Sequence, residues 1–185
     1  MARVIAGMTM SLDGFIEDAD GNAGALYEDL FALPDSPYLR ASQDETGAAL
    51  MGRRTFDMAG DPDGYADGYE YQVPIVVVTH TPPPVAPRSN DRLSFTFVTD
   101  GVRAAVARAT AAAGDRDVTV IGGVDLNRQL LAAGLVDELR MDVVPVLLGA
   151  GRRLFEGTGG HALEKTGVTE CGARTSLRFR VLHAT

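Results

Sequence analysis

The chain has 185 residues, 45% of them hydrophobic and 23% charged, which suits a single globular domain over residues 1–185 and excludes a fibrous repeat. Its formal charge of −8 argues against binding to nucleic acid or an anionic membrane, both of which need a basic field. One cysteine, Cys171, excludes an internal disulfide and any multi-cysteine metal site, and its position in an expected strand gives it a packing role.

No apolar stretch approaches the ~20 residues that a membrane helix needs. Met1 to Gly7 is too short an apolar run for a signal peptide, and the chain turns acidic by Asp13. The expected location is the cytoplasm.

Arg3 to Met10 reads as a buried strand, followed by a turn at Asp13-Gly14 and a short extended piece at Phe15-Ile16. Residues 17–34, rich in Asp, Gly and Asn, read as a loop with room for one helical turn. Ser36 can cap a helix to about Thr46, since Pro37 at the first helical position needs no donor. Ala48 to Met51 reads as a strand and Arg54 to Ala59 as a short helix. Residues 60–72 form an irregular acidic loop, either functional or a plain surface insertion. Ile75-Val76-Val77-Val78 is an uninterrupted β-branched run, the mark of a central parallel strand covered on both faces.

Phe95 to Thr99 is a further strand, and Asp100 is expected to cap an alanine-rich helix over 101–113 that Gly114 stops. Val118 to Ile121 reads as a strand, Gly122-Gly123 as a turn, and Asp125 to Ala133 as a helix stopped by Gly134. Val136 to Leu148 reads as one long strand, and 164–172 and 174–182 as a hairpin around Gly172-Ala173. This alternation predicts a three-layer α/β fold. Its sheet is mixed and mostly parallel, with helices on both faces and an antiparallel C-terminal edge.

Four segments can carry chemistry. At Met51-Gly52-Arg53-Arg54-Thr55-Phe56 a strand ends and a helix opens with two guanidiniums and a hydroxyl, suiting either an anion site or solvated arginines. At Val120-Ile121-Gly122-Gly123-Val124-Asp125-Leu126 a strand meets a helix through bare glycines, which allows backbone to approach a diphosphate but also suits any tight turn. The G-x-G-x-x-G fingerprint is missing. Thr79-His80 stands at the carboxyl end of a parallel strand, where open α/β sheets bind ligands, or simply where the strand leaves the core. Asp13 is a turn residue or bonds a polar substrate or loop backbone. Asp29, in an apolar stretch, is a solvated loop acid or, if burial raises its pKa, a proton relay. His80, His161 and His183 lack metal-ligand spacing, so no metal is expected.

In this order the segments resemble the dihydrofolate-reductase-like superfamily, which includes the reductase domain of the bacterial riboflavin deaminase-reductase. The resemblance runs from Val4 to about Phe155. It is most specific at Met51 to Phe56, at Val120 to Gly123, and in the block Gln129 to Leu139 that continues through Val144-Pro145-Val146-Leu147-Leu148-Gly149-Ala150-Gly151 to Leu154-Phe155.

The resemblance implies NADPH as cofactor. Gly52, Arg53, Arg54 and Thr55 match the turn that binds its phosphates, including the adenosine 2′-phosphate. Thr79 and His80 match the polar pair beside that phosphate. Ile121, Gly122, Gly123, Val124 and Leu126 match the turn under the diphosphate, with a cis peptide between the glycines in many members. Ala6, Gly7 and Ile16 match the backbone that holds the nicotinamide carboxamide. Asp13 and Asp29 become the candidate catalytic acids.

Two departures mark the chain off. Gly24 to Asp29 has neither the Pro nor the Trp usual before the acidic helix of dihydrofolate reductase, and Ile121 stands where the riboflavin enzyme tends to carry a Glu. The expected function is therefore hydride transfer from NADPH to a small polar, heterocyclic substrate, in the manner of 5-amino-6-(5-phosphoribosylamino)uracil reductase or dihydrofolate reductase. The alternative is a non-catalytic NADPH-binding or interaction protein on the same fold. A homodimer is expected, because related domains pair and the closing strands offer a sheet edge.

Overall fold

The computed structural model describes residues 2–29 and 36–183, so residues 30–34 of the loop expected over 17–34 lie outside the described residues. In chain order the elements are β1 (Val4–Ser11), β2 (Phe15–Glu17), a 3₁₀ turn (Gly24–Leu26), α1 (Pro37–Glu45), β3 (Thr46–Gly52), α2 (Arg53–Asp57), α3 (Gly64–Gly68) and β4 (Ile75–Val78). There follow β5 (Phe95–Val98), α4 (Val102–Ala113), β6 (Asp117–Gly122), α5 (Val124–Ala132), β7 (Glu138–Val144), β8 (Arg152–Arg153), β9 (Ala162–Cys171) and β10 (Arg174–Leu182).

Eight strands make one sheet in the order β5-β4-β3-β6-β1-β7-β10-β9. Pairing is parallel from β5 to β7 and antiparallel at β7-β10 and β10-β9. This is the mixed α/β sheet that the residue pattern predicts. The two β2 and β8 strands pair separately, beyond the end of β1.

Successive side chains of a strand face opposite sides, so each strand feeds two cores. Ala48, Leu50, Val76, Val118 and Val120 pack under α4 and α5. Ala49, Met51, Ile75 and Val77 pack on the other side, with Phe56 and Tyr65. On α4 the residues that meet the sheet are Ala105, Ala109 and Ala113, one helical turn apart and buried. Small side chains let the helix lie close. A methyl at Gly47 would overlap the carbonyl of Ala113, so a glycine is required there. Ser36 caps α1 as expected, accepting from the Leu39 amide at 3.1 Å.

Several expectations are corrected. The β-branched run of β4 is not central: it lies second from the edge, and it is wholly apolar because both faces are covered. Asp100 does not cap α4. Gly101 holds the N-cap, and Asp100 instead meets Arg108 at 3.3 Å. The long strand over 136–148 is shorter, since β7 stops at Val144 before Pro145, which lacks the donor that a ladder needs. The acidic loop 60–72 contains α3 and turns Tyr65, Tyr69 and Tyr71 inward against Phe56 and Phe95, which makes it a core wall rather than a surface insertion.

Candidate functional site

The carboxyl ends of β3 and β6 lie side by side, with Met51 paired to Gly122, so the two turns picked out in the sequence meet. They open onto a cleft of about 970 Å³ that crosses the sheet from the β4 side to the β1 side. Ile16, Gly52, Arg53, Arg54, Thr55, Thr79, His80, Ile121, Gly122, Gly123, Val124 and Leu126 all line it. Ala6 and Gly7 do not: Ala6 is fully buried in the core, and Gly7 lies so close to β7 that a methyl there would overlap the Arg140 carbonyl. Met8, two residues along β1 from Ala6 and so on its face, reaches the cleft instead.

The Gly122-Gly123 turn is built for close approach. Gly123 has φ of 99°, a conformation that favours glycine. A Cβ at Gly122 would stand 3.3 Å from the Thr55 hydroxyl oxygen. No cis peptide joins the pair, or occurs elsewhere among the described residues, so the turn gets its shape from positive φ alone. The Thr55 hydroxyl has no hydrogen-bond partner among the described residues. α2 has only five residues, so the cationic character of this turn comes from its guanidiniums rather than from a helix dipole.

Arg53 is held in place. Its Nε donates to both Asp57 oxygens at 2.8 and 2.9 Å, and its Nη1 donates to the Thr81 carbonyl at 2.7 Å. Thr79 closes the same loop, donating to the Thr81 carbonyl at 2.8 Å and accepting from the Thr81 amide at 3.2 Å. Arg53 thereby fastens the tip of β3 to the loop after β4. Arg54 has no hydrogen bond or ion pair among the described residues. His80 lies exposed on the cleft rim.

The candidate acids fall elsewhere. Asp13 accepts from the Ser11 hydroxyl at 2.5 Å and from the amides of Leu148 and Gly149 at 3.2 and 2.7 Å. These bonds, that from Ser11 foremost, hold its pKa below the usual carboxylate value. Asp29 would serve as a proton relay only if burial raised its pKa; the pKa is instead lowered. The cause is Arg174, whose Nε and Nη2 donate to the two carboxylate oxygens at 2.7 and 2.5 Å, outweighing the desolvation that raises it. Neither acid lines the cleft. Asp13 ties down the turn after β7, and Asp29 anchors the loop after the 3₁₀ turn to β10.

Beneath lies a polar cluster that the sequence did not suggest. Arg174 is 3% exposed and also reaches Asp142 at 3.2 Å, while Tyr38 donates to the same Asp142 carboxylate at 2.8–2.9 Å. Tyr27 connects this cluster to the cleft, which it lines. Burial raises its pKa, and a hydrogen bond with Thr9 only partly offsets that, so the phenol keeps its proton at neutral pH. Glu17, Asp125 and Arg152 also line this end without having been singled out. The available signal was that Arg152 follows the Gly149-Ala150-Gly151 turn and that Tyr27 shares the stretch of Asp29. Among the described residues no group of metal-liganding side chains assembles, and no helix is long and apolar enough to cross a membrane.

Comparison with known families settles the ancestry. The RibD C-terminal domain family matches residues 2–177. The chain belongs to that family. A Bacillus subtilis relative, the uncharacterized protein YyaP, is 27% identical over 156 residues, spanning 83% of this chain and 80% of its own length. Among solved structures, the diaminohydroxyphosphoribosylaminopyrimidine deaminase/5-amino-6-(5-phosphoribosylamino)uracil reductase of Thermotoga maritima superposes with a TM-score of 0.67 at 14% identity, covering 98% of this chain and 57% of that one. Dihydrofolate reductase of Enterococcus faecalis, complexed with NADP(H), superposes with a TM-score of 0.59 at 13% identity, covering 97% and 96%. The RibD C-terminal domain family thus has here the dihydrofolate-reductase-like fold.

Proposed function

We propose that this RibD C-terminal domain protein is a reductase that uses NADPH to reduce a small polar, heterocyclic substrate. The observation that carries the reading is the meeting of Arg53, Arg54 and Thr55 with the bare Gly122-Gly123 turn on one cleft. These residues fit an anionic dinucleotide: a guanidinium and a hydroxyl that have no partner among the described residues, and a cradle that a Cβ at Gly122 would crowd.

When bound, the cofactor supplies the hydride. The rest is positioning. Arg53 and Arg54 would hold the phosphates, with Thr79 and His80 on the same side of the cleft. Gly122 and Gly123 would leave room for the diphosphate, and Thr55 has a hydroxyl to donate to it. Met8, Ile16 and Val124 give the far end apolar walls, which keep water from the reacting carbon. With Asp13 and Asp29 engaged elsewhere, Tyr27 is the group at that end that holds a proton.

Thermal unfolding tests the reading. NADPH at a hundred times its dissociation constant adds about 2.7 kcal/mol of stability by mass action. No shift with NADPH would contradict it. A shift with no oxidation of NADPH by any pterin, ribosylaminopyrimidine or quinone-like compound would make the protein a cofactor binder instead of an enzyme.

A further inference from the structure

The two ends of the cleft differ in charge. On the β3 and β4 side Arg54 is without a partner among the described residues, ready for an anion. On the β1 side the charged lining residues are Glu17, Asp125 and Arg152. Arg152 is committed to both acids, with Nη2 2.8 Å from Asp125 Oδ1 and Nη1 3.7 Å from Glu17 Oε1. One cation between two carboxylates leaves this end with a negative charge in excess. Asp125 also sits in the first turn of α5, where it answers the positive end of that helix.

Nearby cations are occupied. Arg128 donates to the carbonyls of Leu154 and Arg153 at 2.9 and 2.6 Å. Arg153 lies over the Phe15 ring at 4.2 Å and donates to the Asp13 carbonyl at 3.1 Å. Arg174 is taken up by Asp29 and Asp142. Residues 30–35, Leu-Phe-Ala-Leu-Pro-Asp, contain no cationic side chain. What this end does offer is apolar wall from Met8, Ile16 and Val124, with Tyr27 in the same lining.

We propose that the site takes an uncharged, unphosphorylated heterocycle whose carbonyl or imine acceptor is met by the Tyr27 hydroxyl. This rests on the reductase reading above and narrows it. It separates the chain from the Thermotoga maritima relative, whose named substrate carries a phosphoribosyl group. A phosphate at the β1 end would lie among carboxylates, with no free guanidinium lining that end among the described residues.

The test is isothermal titration of the protein saturated with NADP⁺. The probes are 5-amino-6-(5-phosphoribosylamino)uracil and the same compound without its phosphate. The unphosphorylated compound is expected to bind at least about tenfold more tightly, as for one lost or unfavourable charged contact. Tyr27→Phe should weaken it by about two- to tenfold, the worth of a neutral hydrogen bond. The double variant Glu17→Gln, Asp125→Asn releases Arg152 and should raise affinity for the phosphorylated compound about tenfold while sparing the other. Wild-type preference for the phosphorylated compound, or binding of neither, overturns the substrate class; an unaltered Tyr27→Phe titration overturns the role of Tyr27. Failure to saturate with NADP⁺ in the first place would instead sink the reductase reading.

Discussion

Arg53→Ala and Arg54→Ala should each weaken NADPH about ten- to a hundredfold and leave NADH within a few-fold of wild type. A charge-assisted hydrogen bond to a phosphate contributes roughly 1.5–3 kcal/mol, and each 1.4 kcal/mol is a factor of ten in affinity. NADH lacks the 2′-phosphate, so a contact made only to that group cannot affect it. The two arginines differ in starting state. Arg53 is already oriented by Asp57 and the Thr81 carbonyl, whereas Arg54 must be ordered on binding. Fluorescence titration of both cofactors against both variants measures the effect. An equal loss for NADPH and NADH would remove the 2′-phosphate role from the pair.

Arg174→Met should lower folding stability by about 3–5 kcal/mol, because it strands the buried Asp142 and the part-exposed Asp29 without their cation. Asp142 is 9% exposed and has Tyr38 as its other partner, and Asp29 loses both of its bonds to the guanidinium. In a domain of this size that corresponds to a melting point lower by roughly 6–20 °C. The effect depends on pH with a definite sign. Arg174 holds the Asp29 pKa below its ordinary value, so the pair stabilises the fold above the unfolded-state pKa of about 3.9 and is lost as pH falls through the lower folded value. The gap between wild type and variant should therefore be full at neutral pH and begin to narrow below about pH 4. A gap under about 1 kcal/mol at pH 7, or one that does not change with pH, would show that the cluster is not held by charge.

What the sequence conveyed and what it concealed divide along physical lines. The two turns at the ends of β3 and β6 were legible because each is local: a strand end, glycines, then guanidiniums or a helix start. Parallel pairing of β3 with β6 then aligned two such ends without any further information. The β-branched run of β4 announced burial on both faces but not its place in the sheet, since every strand covered on both sides reads alike. The partnership of Asp29 with Arg174 spans 145 positions and was hidden, so the acid looked free to act on substrate. Tyr27 was passed over for a related reason. A phenol becomes interesting only once burial and its neighbours are known, whereas an acid attracts attention in any sequence. Ala6 and Gly7 matched the family pattern, yet here the packing of β7 on Gly7 moves access to the cleft to Met8.

The central claim is that one cleft at the tips of β3 and β6 grips a phosphorylated dinucleotide, and the most direct test is a crystal structure of the protein with NADP⁺. The account predicts the 2′-phosphate at Arg53 and Arg54, the diphosphate against Gly122 and Gly123 within reach of the Thr55 hydroxyl, and the nicotinamide toward Met8, Ile16 and Tyr27. A dinucleotide bound away from the Gly122-Gly123 turn, or none bound at saturating concentration, would contradict it.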